Sequence, residues 1–188
     1  MRTFVTSWLS SNSDNGAWRA HHLLRYCVFR NRMDYDVPDA DAMEFDQFDT
    51  PRARYVVVML GDEALACCRL ISFSDDIMVR TLWPEMLGSL TIDCVGTLEA
   101  TRIAVSKNHS AVLRGQALEL LVGMVLDYAK NNSFHSVVGV MPTLLFKLAL
   151  ERRGCSITYP GPEQDIDGIL TRAGVIDVAG SIERRSFD

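Results

Sequence analysis

A chain of 188 residues that is 48% hydrophobic and 23% charged has the make-up of one soluble globular domain with a substantial core. Its formal net charge of −5 argues against a general nucleic-acid binder, whose phosphate contacts need a cationic surface. Its most apolar helical stretch, ALELLVGMVLDYA, is interrupted by Glu119 and Asp127, so no membrane span is expected.

The N-terminal MRTFVTSWLSSNSDNG lacks the continuous apolar core of a signal peptide, which points to the cytoplasm. In that reducing setting Cys27, Cys67, Cys68, Cys94 and Cys155 read as free buried thiols, with Cys67 and Cys68 facing opposite sides of a strand. Their number is odd and there is no C-x-x-C. His21, His22, His109 and His135 have no metal-ligand spacing either, so no metal is expected, and each reads as a surface or satisfied core histidine.

Residues 17–32, AWRAHHLLRYCVFRNR, carry apolar residues at helical spacing, with Ser13, Asp14 and Asn15 available as caps. Residues 33–53 are acidic, contain Pro38 and Pro51, and predict a long loop. RYVVVML (54–60) and ALACCRLISF (64–73), joined by Gly61-Asp62-Glu63, predict a β-hairpin. VRTLWPEML predicts a short helix starting at Pro84, and LEATRIAV (98–105) a strand. Residues 110–131 are the strongest helix, with Leu113, Ala117, Leu120, Leu121, Met124, Val125 and Tyr128 in one stripe. HSVVGVM (135–141) predicts a buried strand. PTLLFKLALERRG (142–154) predicts a helix with Pro in its first turn and Gly past its end. Two weaker strands are expected in 155–179, and SIERRSFD is uninformative. The order implies an α/β fold: a single mixed, largely antiparallel sheet flanked by helices.

Nucleotide-binding glycine loops and a G-x-S-x-G elbow are absent. What stands out is charge set among apolar residues: Arg25 in the first helix, Asp46 and Asp49 in EFDQFD, Arg69 in ALACCRLISF, and Glu99 and Arg102 in LEATRIAV. Burying such groups singly is costly, so they should pair or serve a ligand, unless each sits at a solvated edge. The last strand poses the sharpest form of the question, because side chains three apart on a strand should point to opposite faces.

These stretches also occur in a recognisable order. RYCVFRNRMDYDVP, MEFDQFD, ACCRLI, LWPEML and LEATRIAV follow one another over residues 25–105. The chain resembles the acyl-homoserine-lactone synthases, the LuxI-type autoinducer synthases, over roughly residues 20–170. Tyr35 stands at a family tryptophan, Trp83 at a phenylalanine, Thr101 at a serine and Ile103 at a phenylalanine.

The resemblance implies a GNAT-like acyltransferase architecture in one synthase domain, residues 1–188, with an N-terminal helix and lid-like loop (1–53) and a catalytic core (54–179). It implies that an acyl group passes from acyl carrier protein or coenzyme A to the amine of S-adenosylmethionine. Lactonisation and release of methylthioadenosine then yield a quorum-sensing signal. S-adenosylmethionine enters as a substrate, no cofactor is implied, and neither nucleic acid nor membrane is a partner. The implied catalytic set is Glu99, Arg69, Arg102, Asp46 and Asp49, with Glu99 as the base. Arg25, Phe29, Tyr35, Trp83 and Ile103 fall at S-adenosylmethionine-binding positions. Leu121, Met124, Val125, Val140, Thr143 and Leu144 are candidates for an acyl pocket, unless they are simply core. Lys147, Arg152 and Arg153 suit a carrier or coenzyme A, or else stabilise a helix end. Two other readings compete: a GNAT-type N-acyltransferase using acyl-CoA, against which VSKNHSAVLRGQAL lacks the usual pyrophosphate loop, and a non-catalytic ligand-binding relative.

Overall fold

The computed structural model describes residues 1–8, 16–89 and 91–186. The chain groups into two compact units, residues 1–70 with 102–125 and residues 71–101 with 126–188, and each is taken by itself.

The first unit opens with β1 (Arg2–Ser7), then α1 (Ala17–Arg25), which widens into a π-helical segment, Tyr26–Arg32. A ribbon of β2 (Asp39–Ala40) and β3 (Met43–Glu44) interrupts the acidic loop. The hairpin of β4 (Arg54–Leu60) and β5 (Glu63–Ser72) follows. The unit also holds the later residues of β6 (Thr97–Val105) and the first turns of α3 (Ala111–Asn131). Val56, Val57 and Val58 are fully buried, as a continuous β-branched run requires of a strand covered on both faces. Leu60 pairs with Glu63 across a two-residue turn, one residue tighter than the expected Gly61-Asp62-Glu63 connection. Gly61 has φ 60 and Asp62 does not share a positive φ, the requirement of a II′ turn.

Two expectations change here. The helix over 17–32 is α-helical only to Arg25; π turns are rare and concentrate at functional sites, and this one begins just after a buried arginine. The strand β1 was not expected: it is short, and its partner β4 lies some fifty residues away, with Arg2 opposite Met59. The caps expected from Ser13, Asp14 and Asn15 lie outside the described residues; Gly16 holds the N-cap position with φ 82.

The second unit contains α2 (Met78–Leu82), a 3-10 turn (Pro84–Leu87), the start of β6, and β7 (Ser136–Pro142). It continues through α4 (Thr143–Leu145), a π segment (Phe146–Leu150) and a 3-10 turn (Glu151–Arg153). It ends with β8 (Ser156–Thr158), β9 (Gln164–Ile166), β10 (Ile169–Asp177) and α5 (Val178–Arg185). A short helical turn starts at Pro84 as expected, in 3-10 form, and α2 (Met78–Leu82) precedes it unforeseen. The single helix expected over 142–154 is three windings in succession, and it starts only at Thr143 because Pro142 is still extended (ψ 131) and closes β7. Gly154, with φ 79, ends it as expected. Three strands replace the two foreseen after residue 155, and the tail forms α5, capped by Asp177 accepting from Gly180 N–H.

The strand order is β1-β4-β5-β6-β7-β10-β8, with β9 also on β10. The β6–β7 pair is parallel and the other pairs described are antiparallel, the mixed sheet the element order implied. No helix among the described residues is long and apolar enough to cross a membrane. Cys67, Cys68 and Cys155 are buried as expected; Cys27 and Cys94 are exposed, against expectation, because each falls on the outward side of a short element or loop.

Candidate active site

Among the described residues of the first unit, six charged side chains form one buried network. Arg25, at the end of α1 and 1% exposed, donates Nε–H to Glu44 and grips Asp49 with Nη1 and Nη2 at 2.8 and 2.7 Å. Arg69, on β5, reaches Asp46 and also Asp49 at 3.1 Å. Arg102, on β6, meets Glu44 Oε1 at 3.0 Å and Asp46 Oδ2 at 2.7 Å. Three guanidinium groups face three carboxylates, so the cluster is neutral and each ion has opposite charge on more than one side, which is what makes buried charge tolerable. The loop holds its own carboxylates in place: Asp46 N–H donates to Asp49, and Phe48 N–H to Asp46. Tyr55 on β4 adds its hydroxyl to Asp49 Oδ1 at 2.8 Å.

The electrostatics follow from this packing. Burial works to raise the pKa of Asp49, but Arg25 and Arg69 beside it hold it far below the usual carboxylate range. Desolvation and the adjacent Asp49 carboxylate push the Tyr55 hydroxyl well up. His21 and His22 lie under the cluster. His22 Nδ1 meets the Glu44 carbonyl at 2.8 Å, and burial together with Arg25 lowers its pKa to about 4. His21 is fully buried, stacks on Tyr55 at 4.1 Å, and has no hydrogen bond at either ring nitrogen among the described residues. It is therefore a core histidine, but a neutral aromatic one rather than a satisfied one; burial and His22 hold its pKa well down.

Glu44 was not singled out from the sequence, although it stands in the quoted MEFDQFD. Its signal is the alternation Glu44-x-Asp46, which places a carboxylate at the end of β3 beside two apolar neighbours. Arg102 carries a second surprise. Its φ is 53, a left-handed conformation in the middle of a strand, where a non-glycine side chain is strained. The regular alternation of β6 is broken at that residue, and its guanidinium pairs with the acidic loop. Phe29 and Tyr35 stack at 6.3 Å with 14° between planes, and Arg102 lies over the Phe29 ring at 5.2 Å. Ile103, next to Arg102 in sequence, is half-buried.

In the second unit Glu99, 1% exposed on β6, accepts hydrogen bonds from the backbone of Met78 at 3.0 Å and of Val79 at 2.6 Å. Those are orphan N–H groups at the start of α2, whose N-cap Ile77 supplies no side-chain bond, so Glu99 caps the helix from another element. Trp83 is half-buried just after α2. The acyl-pocket candidates fall into two groups. Leu121, Met124 and Val125 lie together on α3 in the first unit, Leu121 and Val125 as core. Val140 and Thr143 are half-buried around the end of β7, with Leu144 exposed and the Thr143 hydroxyl buried without a partner among the described residues. Lys147 and Arg152 are exposed, whereas Arg153 donates to the carbonyls of Leu148 and Ala149 and so finishes its own helical segment.

A model of the autoinducer synthase family matches residues 10–181. The chain belongs to the autoinducer synthase family. As an autoinducer synthase it is an enzyme, an acyltransferase. An acyl-homoserine-lactone synthase of Rhizobium radiobacter is 25% identical over 180 residues, 93% of this chain and 82% of that one. Another, from Aliivibrio fischeri, is 34% identical over 91 residues, a match that spans 47% of each chain. The structure of BjaI, a CoA-dependent acyl-homoserine lactone synthase solved with SAM and isopentyl-CoA, has a TM-score of 0.82 at 17% identity, over 93% of this chain and 82% of that one. A putative N-acetyltransferase from Lactobacillus plantarum has a TM-score of 0.62 at 16% identity, over 94% and 97%. At such identities these likenesses establish the fold of this synthase, the acyltransferase architecture foreseen for it.

Proposed function

We propose that this enzyme is an acyl-homoserine-lactone synthase in which Glu99 is the general base and the arginine–carboxylate cluster fixes the loop that closes over S-adenosylmethionine. Glu99 takes a proton from the α-ammonium group. The freed amine attacks the acyl thioester; the new C–N bond forms, the C–S bond breaks, and the thiol of carrier protein or coenzyme A leaves. The methionyl carboxylate oxygen then attacks its own γ-carbon. The sulfonium C–S bond breaks, methylthioadenosine departs, and the lactone closes. S-adenosylmethionine is thus consumed as a substrate in the cytoplasm.

The observation that carries this reading is that Arg25, Arg69 and Arg102 meet Glu44, Asp46 and Asp49 in one buried network. Those arginines come from three elements, and all three acids from the loop, so the network determines where the loop sits. Arg25 spends three nitrogens on Glu44 and Asp49, and it acts on S-adenosylmethionine by placing that loop. Phe29 and Tyr35, stacked in the first unit, supply ring faces for the sulfonium and adenine, with Ile103 of the same unit as an aliphatic candidate and Trp83 of the second unit as a further candidate ring. For the acyl chain the candidates within the first unit are Leu121, Met124 and Val125, and within the second Val140, Thr143 and Leu144; the Thr143 hydroxyl, buried with no partner among the described residues, suits an oxygen at acyl C3. Lys147 and Arg152 meet the donor's acidic portion, with Arg153 holding their segment in shape.

The test is to incubate the purified protein with S-adenosylmethionine and a panel of acyl thioesters on both carriers, reading methylthioadenosine release and product mass. Acyl-homoserine lactone is expected with at least one donor. Methylthioadenosine without acylated product, or simple N-acylation with no lactone, overturns the reading.

A further inference from the structure

A cavity of about 630 Å³ opens in the first unit on a different face of α1 from the ionic cluster. Arg25 and Phe29 share the face that meets the acidic loop, whereas Ala20, Leu24 and Val28, at four-residue spacing, turn toward the cavity. Its volume is within the range of small-molecule pockets. It is lined by none of the residues assigned above to S-adenosylmethionine, to the acyl chain or to the carrier.

Its chemistry is specific in two respects. The wall is aliphatic, with Leu23 and Leu24 from α1 and Leu60 and Ala64 from the hairpin, and no aromatic ring lines it. Such a wall suits a flexible alkyl chain better than a planar ring. The rim carries Arg32 and Lys107, and neither forms an ion pair among the described residues. Arg114 stands close enough to Arg32 that, after partial desolvation, its repulsion lowers the Arg32 pKa. Two acids share the rim: Glu63, with His109 at 3.2 Å and the Ser106 hydroxyl at 3.4 Å, and Asp62, which forms no ion pair among the described residues. With Arg114 beside Arg32, three cations stand at the mouth against two acids, and at an aliphatic cavity that balance calls for an amphiphile with an anionic head.

We infer that this cavity is a second ligand site, which takes a straight alkyl chain along Leu23, Leu24 and Leu60 and a carboxylate or phosphate head at Arg32 and Lys107. The site is separate from acyl transfer, and its occupancy is read without any measurement of turnover. Cys27 supplies the reporter: it is an exposed thiol on the cavity wall, and Cys94, the other exposed thiol among the described residues, lies outside the lining and serves as internal control.

The experiment measures alkylation rates of Cys27 and Cys94 by peptide mass spectrometry in the intact chain, with decanoate, decyl phosphate or decanol added below their aggregation thresholds. Decanoate or decyl phosphate is expected to slow labelling of Cys27 about tenfold at ten times its half-protection concentration, with Cys94 unchanged. Whichever acts at the lower concentration identifies the head group. Lys107→Glu, a change at an exposed residue that leaves the fold intact, should raise the half-protection concentration about tenfold, and decanol should be weaker by a similar factor. Absence of protection at Cys27, equal slowing of Cys94, or decanol as effective as decanoate would each overturn the inference.

Discussion

Arg25 and Asp49 meet through two parallel hydrogen bonds, Nη1 to Oδ1 at 2.8 Å and Nη2 to Oδ2 at 2.7 Å, with both side chains only 1% exposed. A planar fork on a carboxylate is a geometry that lysine does not reproduce. Asp49→Asn leaves Arg25 and Arg69 short of compensating charge inside the protein. It is expected to cost about 3–5 kcal/mol, read from urea denaturation at neutral pH. Arg25→Lys keeps the charge but loses the fork, and its stability should fall between that of the Asp49→Asn variant and that of the parent. A D49N protein as stable as the parent would mean that water reaches the cluster and that the loop is not held by it.

Tyr55→Phe examines the same carboxylate from its other side. The hydroxyl donates to Asp49 Oδ1 at 2.8 Å, and the ring stacks on His21. Phenylalanine preserves the stack and removes only the hydrogen bond, so a loss of about 1.5–3 kcal/mol is expected, the range for a bond to a charged group. The Michaelis constant for S-adenosylmethionine should rise with little change in turnover, because Tyr55 acts through the loop and not on the reacting atoms.

Much of this organisation was legible in the sequence because it rests on local patterns. The valine run of β4, the Gly61 turn and the apolar stripe of α3 each reflect one short-range rule. The arginines and aspartates of the cluster were visible as charges out of place among apolar neighbours. Less visible were features decided by distant partners. The strand β1 depends on β4, and Glu44 looks like a surface acid until Arg25 and Arg102 arrive from other elements. The capping of α2 by Glu99 links residues twenty or more apart, and no spacing rule foretells it. The breaks after Arg25 and Pro142 are changes of helical winding that 3.6-residue periodicity does not register.

Acid should unfold this protein earlier than its carboxylates alone would dictate. The folded state keeps His22 neutral down to about 4, against an ordinary value of 6.5, and burial depresses His21 as well. With folded pKa values below the unfolded ones, the unfolded chain binds protons first. Stability is complete above about pH 6.5 and declines as pH falls toward 4. His22 alone should account for about 2 kcal/mol between pH 7 and 5. Asp49 acts in the same direction, but only below the ordinary carboxylate range. Urea midpoints across about pH 5–7 provide the check: the parent should slope and His22→Gln should slope less. Equal slopes would place the titration elsewhere.

Glu99→Gln separates two roles that one carboxylate can fill. The carboxylate accepts from both Met78 and Val79 N–H, one bond at each oxygen. Glutamine retains one acceptor and turns an amide N–H group toward the other donor, so the start of α2 should loosen modestly. As a base it has no function, and turnover should fall about 10²- to 10⁴-fold with S-adenosylmethionine binding retained. If turnover survives while thermal stability drops, Glu99 is a helix cap and the proton acceptor lies elsewhere.

Arg102 joins a backbone requirement to a side-chain requirement, and a pair of substitutions separates them. Its φ of 53 is strained for any residue with a Cβ, while its guanidinium reaches Glu44 and Asp46. Arg102→Ala loses the guanidinium and keeps the strain; Arg102→Gly loses the guanidinium and relieves it. The glycine variant should therefore be the more stable of the two by about 1 kcal/mol, a difference measured by urea denaturation. Activity should be lost equally in both, because neither restores a cation between Glu44 and Asp46. A glycine variant with substantial turnover would show that β6 needs only its kink at this position, and that the ion pairs of Arg102 contribute to folding and not to the reaction.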